Sequence, residues 1–245
     1  MFGAFLLAAA IEIARPWRPA STLAAVRWLS SLALLALTTG VDYLAAPIVA
    51  IGASRGIESG LSLWLQLAVG IPALDALSYA LHRALHASPF LWRLHALHHA
   101  DPELDVATTL RHHPGEALFM ALGIGGLGSA VGLSPLVVGL YGSLNLAVQL
   151  FSHANIGLPR GLATVLGRLI VTSDLHRVHH SRHPADVTAN YGAAFSVWDR
   201  LFGTYRAGPE LGADRIEFGV ERFREKYYQR LDRMLWLPFV VRDST

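Results

Sequence analysis

Histidine is the residue type whose spacing in this chain could support chemistry. Nine of the twelve histidines fall into a pattern of three spaced clusters and one isolated residue. Residues i, i+3 and i+4 of a helix share one face, so the imidazoles of one cluster can point at one metal ion. The nine are His82 and His86; His95, His98 and His99; His153; and His176, His179 and His180.

The number of imidazoles predicts two metal ions rather than one. A zinc ion takes about four protein ligands when structural and about three when catalytic, so this set suits two ions of about four or five ligands each. The chain has no cysteine, which excludes thiolate sites, iron–sulfur clusters and disulfides. Imidazole binds Zn, Cu, Fe and Ni alike, so the ligand type does not choose the metal. Two irons are chemically attractive because O2 cleavage needs several electrons in one place.

Composition and long apolar stretches indicate a membrane protein. Apolar residues make up 53% of the chain and charged residues 16%, whereas a soluble domain carries roughly a quarter charged residues. Residues 28–51, 61–81 and 117–151 approach or exceed the roughly 20 residues that span a bilayer as a helix. The third stretch is too long for one span and is interrupted between Gly132 and Pro135, so we expect a helical hairpin over 117–153.

The arginines predict how these helices are oriented. Between the first two apolar stretches only Arg55 and Glu58 are charged, and the hairpin tip carries no charge. Cytoplasmic loops are enriched in Lys and Arg, so the opposite, Arg-rich ends are expected in the cytoplasm, together with every histidine cluster. The expected fold is therefore all-α: a multi-spanning membrane helical bundle with a cytoplasmic histidine-rich helical cap. Lys226 is the only lysine, which favours a GC-rich, bacterial genome and hence a bacterial inner membrane.

Further motifs accompany the histidine clusters. They are LRHHPGE at 110–116, FSHAN at 151–155, NYG at 190–192 and WDRLFGTYR at 198–206. With the histidine clusters, this combination resembles the fatty acid hydroxylase/sterol desaturase superfamily over residues 70–206. The resemblance implies an integral membrane di-iron enzyme that uses O2 to hydroxylate or desaturate a lipid. It also implies electrons from a separate NAD(P)H-linked carrier, because we expect no haem-binding or flavin domain in the remaining residues.

The resemblance also implies which residues bind metal. The ligands of the family correspond to the nine histidines named above, and no catalytic residue is predicted beyond these ligands. Several fatty acid hydroxylases have a further histidine four residues before the one that corresponds to His153, and here that position is Gln149. The missing ligand would be lost, replaced by water, or supplied by His113. We expect His112 and His183 to be structural or exposed.

Polar residues beside the clusters are candidates to orient the imidazoles. A metal-binding histidine usually donates its second ring N–H to a carboxylate or a carbonyl group. Asp75 lies two helical turns before His82 and inside an apolar stretch, where a carboxylate needs a partner. Asp174 and Asn155 lie close in sequence to other predicted ligands. We expect these three residues to support the ligand rings.

The chain divides into three expected regions. Residues 1–69 are predicted to form N-terminal membrane helices, and 70–206 the hydroxylase-like catalytic domain. Residues 207–245 are expected to form an amphipathic C-terminal extension with a helix over 220–234.

Two other functions fit part of the pattern. A histidine-lined metal transporter would place its ligands in the middle of the membrane, whereas these clusters lie at the ends of the apolar stretches. A non-catalytic, metal-stabilised membrane scaffold is favoured only by Gln149. For an oxygenase, the substrate could be a fatty acyl chain, a sphingoid base, a sterol, a hopanoid or a carotenoid, and both hydroxylation and desaturation remain open. The charge pattern gives no indication of a nucleic-acid partner.

Overall fold

The computed structural model describes the backbone of residues 2–20, 23–58 and 60–241. Within these ranges the chain is helical and forms no β-strand, only isolated bridges such as Ile170–Phe195. This confirms the predicted all-α fold. The principal helices are α1 (Phe2–Ala14), α2 (Ala24–Glu58), α3 (Leu63–Ala87), α4 (Pro89–His99), α5 (Pro114–Ala130), α6 (Pro135–His153), α7 (Arg160–Leu166), α8 (Ser173–His179) and α9 (Leu231–Val240).

Three helices are long and apolar enough to cross a membrane. They are the segment Ala24–Pro47 of α2, the whole of α3, and α6. The shorter helix α5 precedes α6, and the two helices occupy the region in which we expected a hairpin. Their connection ends α5 with a Schellman motif, in which Leu133 N–H donates to Gly128 O at 2.8 Å and Gly132 adopts a φ of 68°. Pro135 then begins α6, a position where its missing N–H costs nothing.

Small residues allow the membrane helices to approach closely. A Cβ atom on Gly123 of α5 would lie 2.5 Å from Leu81 Cδ1 of α3, so a larger residue at this crossing would force the Leu81 side chain to move. The start of α3 is joined to the α5–α6 connection by Gln66, whose amide accepts from Ser134 N–H at 2.8 Å and donates to Leu61 O at 3.0 Å. The hairpin and α3 therefore form one packed unit.

Helix α2 packs both against the membrane helix α5 and against the cap, the name used for residues 88–113 and 154–241. Its 35 residues correspond to about 52 Å at about 1.5 Å per residue, which exceeds the roughly 30 Å thickness of the bilayer hydrocarbon. Within the segment Ala24–Pro47, Leu34 packs in one buried cluster with Trp92 and Leu97 of α4 and Met234 of α9. Helix α2 therefore contacts both the membrane helices and the cap.

A buried ion-pair network fixes the N-terminal end of α2. The Arg27 guanidinium is fully buried and donates to Asp101 Oδ2 at 2.8 Å and to Asp105 Oδ2 at 2.9 Å. Asp101 also accepts from the Thr108 hydroxyl at 2.8 Å. This network holds residues 100–111, which follow His99, against α2.

The C-terminal region differs from the sequence prediction. The expected helix over 220–234 is wrong: residues Glu221–Phe223 and Lys226–Gln229 form single 3-10 turns, and the helix is α9. The fully buried Gln229 side chain explains the difference, because its amide accepts from Arg111 at 2.7 Å and donates to Phe223 O at 2.8 Å. This pairing with a distant arginine holds residues 221–229 in turns. Because the contact is long-range, the spacing of hydrophobic residues in this stretch does not reveal it.

Replacing Arg27 with Met should lower the midpoint of thermal unfolding in detergent, measured by intrinsic fluorescence. The substitution removes the guanidinium that pairs with both Asp101 and Asp105 and leaves Asp101 with the more distant Arg111 at 4.0 Å. Breaking a buried ion pair from one side costs about 3–5 kcal/mol. Arg230→Met, at an exposed arginine paired with Asp232, serves as the control and should leave the midpoint almost unchanged. Equal midpoints for both variants would contradict a structural role for the network.

Candidate metal centre

A short connection brings the first two histidine clusters together. Helix α3 ends at Ala87, and the Ser88 hydroxyl accepts a hydrogen bond from Leu91 N–H at the start of α4. Because only one residue separates the two helices, α4 folds back beside α3 and their histidine-bearing faces meet. The Nε2 atoms of His82 on α3 and His95 on α4 are 3.1 Å apart.

The last cluster comes from a distant part of the chain. Thr172 caps the start of α8 by accepting a hydrogen bond from Leu175 N–H. Helix α8 packs beside α6, whose last residue is His153. The Nε2 atoms of His153 and His176 are consequently 3.0 Å apart.

The nine histidines form two groups, and within each group the candidate ligand nitrogens lie within 4.8 Å of one another. Both HxxHH clusters are split between the groups: one group takes residues i and i+4 of a cluster, and the other takes residue i+3. The interpretation that each of these clusters faces a single ion is therefore wrong. The five-histidine group is His82, His86, His95, His99 and His179, and the four-histidine group is His98, His153, His176 and His180.

The two groups lie side by side. The rings of His99 and His180, one from each group, stack with centroids 4.5 Å apart and planes 17° apart. His95 and His98 also stack across the two groups, with centroids 5.2 Å apart. These stacked rings form the boundary between two neighbouring candidate ion sites.

The contacts between ring nitrogens fit metal ions better than hydrogen bonds. His176 Nε2 lies 3.0 Å from His153 Nε2 and 3.1 Å from His180 Nε2, and a single proton cannot satisfy both contacts. Two nitrogens bound at about 2.1 Å to one ion, at right angles, would be about 3.0 Å apart. His179 Nε2 and both ring nitrogens of His86 are buried without a hydrogen-bond partner. Buried polar atoms without partners are costly, so the residues present suit bound cations.

Burial also keeps the rings in the form that binds metal. Burial lowers the pKa of five of the candidate ligand histidines well below its usual value, and neighbouring imidazoles lower it further; these residues are His98, His99, His176, His179 and His180. A neutral imidazole has a free lone pair, which metal coordination requires.

Backbone carbonyl groups orient three of the rings. His82 Nδ1 lies 2.9 Å from Tyr191 O, His153 Nδ1 lies 2.8 Å from Gln149 O, and His179 Nδ1 lies 2.8 Å from Ala189 O; these are donor–acceptor contacts of the Nδ1–H tautomer. Donation from Nδ1 leaves Nε2 of each ring directed at its group.

A carboxylate that sequence reasoning missed orients a fourth ring. Glu116, in the first turn of α5, accepts from His95 Nδ1 and from His112 Nδ1, both at 2.9 Å. The side chain is only 3% exposed, and its second oxygen, Oε2, has no hydrogen-bond partner. The signal was present in the motif HHPGE, which places the glutamate one helical turn after His112.

Asp75 does not contact a histidine ring, contrary to the sequence expectation. Its carboxylate accepts from Trp198 Nε1 at 2.7 Å and from the backbone N–H groups of Ala194 and Phe195 at 3.0 Å. These bonds fix the segment that follows Tyr191, whose carbonyl group orients His82. Asp75 therefore supports the His82 ring indirectly, through the backbone after Tyr191, and not by the direct contact that we predicted.

The other residues expected to assist the ligands also lie elsewhere. Asp174 pairs with Arg177, and the Asn155 amide bonds the backbone of Arg18, so neither contacts a ligand ring. His113 lies outside both groups and caps α5, accepting from Gly115 N–H at 3.0 Å.

His112, expected to be structural or exposed, stacks on His98 with ring centroids 4.6 Å apart. The stacking contact and the hydrogen bond to Glu116 hold the His112 ring beside the four-histidine group.

A cavity of ≈ 550 Å³ reaches the two groups between the apolar helices. Five candidate ligands line it: His82, His95, His98, His153 and His176. The part of its wall formed by α5 and α6 is largely apolar and includes Met120, Ile124 and Val138, with Gln149 nearer the rings. A separate cleft of ≈ 210 Å³, lined by Trp92, His99, His180 and Arg182 among others, shares no lining residue with the cavity.

Comparisons with known proteins agree with this architecture. The family model described as fatty acid hydroxylase matches residues 67–204. The chain is 34% identical over 152 residues to an ornithine lipid hydroxylase, OlsE, of Rhizobium tropici, covering 62% of this chain and 45% of that protein. It is 31% identical over 137 residues to an alkylglycerol monooxygenase of Caenorhabditis elegans, covering 54% and 25%. It is 29% identical over 150 residues to sphinganine C4-monooxygenase 1 of Arabidopsis thaliana, covering 60% and 56%.

The chain spans between a quarter and just over half of the length of these three relatives. No solved structure matches it significantly. The family match covers more than half of the chain, from near the start of α3 into the WDRLFGTYR motif, and includes all nine histidines of the two groups. The chain therefore belongs to the fatty acid hydroxylase family.

Proposed function

We propose that this protein is a membrane-bound, non-haem di-iron oxygenase that hydroxylates a C–H bond of a lipid. The observation that carries the proposal is the convergence of two histidine groups on the wall of one largely apolar cavity. The similar proteins are named for hydroxylating an ornithine lipid, or as monooxygenases of alkylglycerol and sphinganine. These names favour hydroxylation over desaturation.

The five-histidine group and the four-histidine group would each hold one iron. Imidazole does not choose among Zn, Cu, Fe and Ni, so iron is proposed from the family and from the need for a redox-active metal. When bound, the irons supply the site and the electrons for O2 activation. The resemblance implies a further histidine at the position of Gln149, four residues before His153 of the smaller group, which is consistent with the lower ligand count of that group.

The protein itself holds the rings, shapes the cavity and excludes water. Three backbone carbonyl groups and Glu116 orient four of the rings. The segment that supplies two of these carbonyls, at Ala189 and Tyr191, is anchored by Asp75. The apolar wall between α5 and α6 positions the lipid chain, so that a chosen carbon lies beside the rings.

Hydroxylation needs electrons from outside the lipid. Converting a C–H bond and O2 into an alcohol and water consumes two protons and two electrons beyond those of the C–H bond. We infer that a separate NAD(P)H-linked carrier supplies these electrons. The cleft lined by His99 and His180 supports this inference, because it reaches one ring of each group without passing through the lipid cavity.

The protein is proposed to lie in a bacterial inner membrane with its metal centre on the cytoplasmic side. The support is the arginine distribution, since exposed arginines such as Arg93, Arg182 and Arg215 belong to the cap. A histidine-lined transporter is less well supported, because the rings form two closed groups at the ends of the helices. A metal-stabilised scaffold would share the rings but would not consume O2.

Replacing His98 with Ala should remove most of the metal that binds to the four-histidine group. Wild-type protein produced in iron-rich medium should contain roughly two irons per chain, measured by elemental analysis. His113→Ala is the matched control, since this ring lies outside both groups, and it should retain the wild-type content. Full iron content in the His98 variant would refute the ligand assignment.

Replacing Glu116 with Ala should weaken iron binding roughly 10- to 100-fold, the usual effect of losing a group that orients a metal ligand. Asp174→Asn is the control, because Asp174 pairs with Arg177 and contacts no ring. Titrating the metal-free variants with iron in detergent compares the affinities. An effect of Asp174→Asn as large as that of Glu116→Ala would argue against a specific role for Glu116.

A strain lacking this protein should accumulate a lipid lighter by one oxygen atom than the wild-type product. Purified iron-loaded protein, given that lipid, NAD(P)H and a reductase system, should consume O2 and restore the heavier lipid. His179→Ala should abolish both O2 consumption and product formation. A product that instead lacks two hydrogens would indicate desaturation. Protein that binds zinc and consumes no O2 under iron-replete conditions would refute the oxygenase proposal.

A further inference from the structure

One surface of the cap is apolar and exposed, and the metal centre does not account for it. The surface belongs to two short stretches, residues 160–170 and 193–202, in which six apolar side chains have exposed fractions between 43% and 70%. Large exposed apolar patches mark sites of interaction with a membrane or with another protein. The members of this Leu169 patch are Leu162, Val165, Leu169, Val197, Leu201 and Phe202.

Hydrogen bonds hold the two stretches side by side. Ser196 N–H donates to Leu169 O at 3.0 Å, and the Ser196 hydroxyl donates to Gly167 O at 2.7 Å. Gly167 directly follows helix α7, which carries the first two members of the patch. Val197, the neighbour of Ser196 in the chain, therefore lies close to Leu169, and the exposed side chains of the two stretches form one surface.

The second stretch is attached to a membrane-spanning helix at depth. Asp75 is the central residue of α3, and its carboxylate accepts from Ala194 N–H and Phe195 N–H at 3.0 Å and from Trp198 Nε1 at 2.7 Å. Along α3, Asp75 lies about two helical turns (~10 Å) before His82, in the direction away from the cap. This part of the cap therefore packs beside the spanning part of α3 and does not lie above its end.

The polar backbone groups of the two stretches are satisfied within the protein. Non-helical backbone at membrane depth is tolerated only where its N–H and C=O groups have protein partners or line a water-filled cavity. The Asp75 carboxylate accepts from two backbone N–H groups of the second stretch. The Arg200 guanidinium donates to Gly167 O at 2.8 Å and to Ser196 O at 3.1 Å. These bonds meet the requirement that hydrocarbon imposes on irregular backbone.

The charges around the patch favour a lipid surface as its partner. The charged side chains that are exposed in the two stretches are those of Arg160, Arg168 and Arg200, and the one acidic residue there, Asp199, is buried. An arginine can lie along apolar surface with its guanidinium at the level of the headgroups. Anionic headgroups attract such basic residues at a membrane surface.

We propose that residues 160–170 and 193–202 of the cap insert into the leaflet nearer the histidine groups, with the Leu169 patch in contact with lipid acyl chains. The occupant is the bilayer around α3, because the patch continues the surface of that helix at the depth of Asp75. Gly192 and Ala193 line the large cavity, so the inserted part of the cap lies between this leaflet and the cavity. The inference goes beyond the proposed oxygenase, since it assigns a membrane-binding surface to the cap itself.

The test measures which solvent surrounds the patch. The chain has no cysteine, so Leu169→Cys and Leu201→Cys each provide one labelling site without any other change. Each variant is labelled with bimane and reconstituted in liposomes of anionic and neutral phospholipids. Lipids that carry a nitroxide on the acyl chain should quench most of the bimane emission at both positions, whereas iodide in the water should quench it weakly. Val165→Cys is a further site on the same surface if either variant fails to fold.

Leu211→Cys is the matched control, because Leu211 is 54% exposed but lines a separate cleft of the cap with Arg182 and Arg215. Iodide should quench a label at this position and the lipid nitroxides should not. Iodide quenching of the patch labels to the extent seen at Leu211 would overturn the inference. Protection from both quenchers, which a second protein copy over the patch would produce, would also overturn it. The assay uses no metal, O2 or lipid substrate, so absence of oxygenase activity would leave its result unchanged.

Discussion

A buried imidazole nitrogen with an unshared lone pair is stable only beside a donor or a cation, and this protein brings nine such rings into contact. Protonation offers no relief, since burial lowers the pKa of five of these histidines and charged neighbours would repel one another. Hydrogen bonding offers little, because His176 Nε2 faces two other ring nitrogens at once. Bound cations remain as the partner that satisfies the whole set, and the fold is arranged to make room for them.

The support of the rings is organised in layers. Backbone carbonyl groups at Gln149, Ala189 and Tyr191 orient three rings, and these carbonyls are themselves fixed by other contacts. Asp75 holds the segment beyond Tyr191, while Arg27 and Asp101 hold the segment beyond His99. Asp75 and Arg27 thus position backbone, whereas the buried Glu116 carboxylate holds a candidate ligand ring directly. Their partners are far apart in sequence, which makes the centre depend on the packing of α2, α3 and the cap together.

Local spacing revealed the clustered histidines and the helices that carry them, because both follow from helical periodicity within a short stretch of chain. It did not reveal the division of each HxxHH cluster between two groups, which depends on how α4 and α8 pack against distant helices. For the same reason Asp75 was assigned to a ring and Glu116 was overlooked: closeness in sequence to a ligand proved a poor guide to contact. The 3-10 turns before α9 arise from the long-range pair of Gln229 with Arg111.

The rings separate two spaces with different chemistry. On one side, the cavity is largely apolar and reaches His98 and His153; on the other, a cleft beside Arg182 reaches His99 and His180. Because candidate ligands of both groups face each space, two different molecules could reach the histidine groups without competing for one entrance. Helix α2 links the two sides, since Leu34 packs within the cap while Asp42 faces the cavity. Leu34 and Asp42 are about two helical turns apart, so a short stretch of one helix serves both sides.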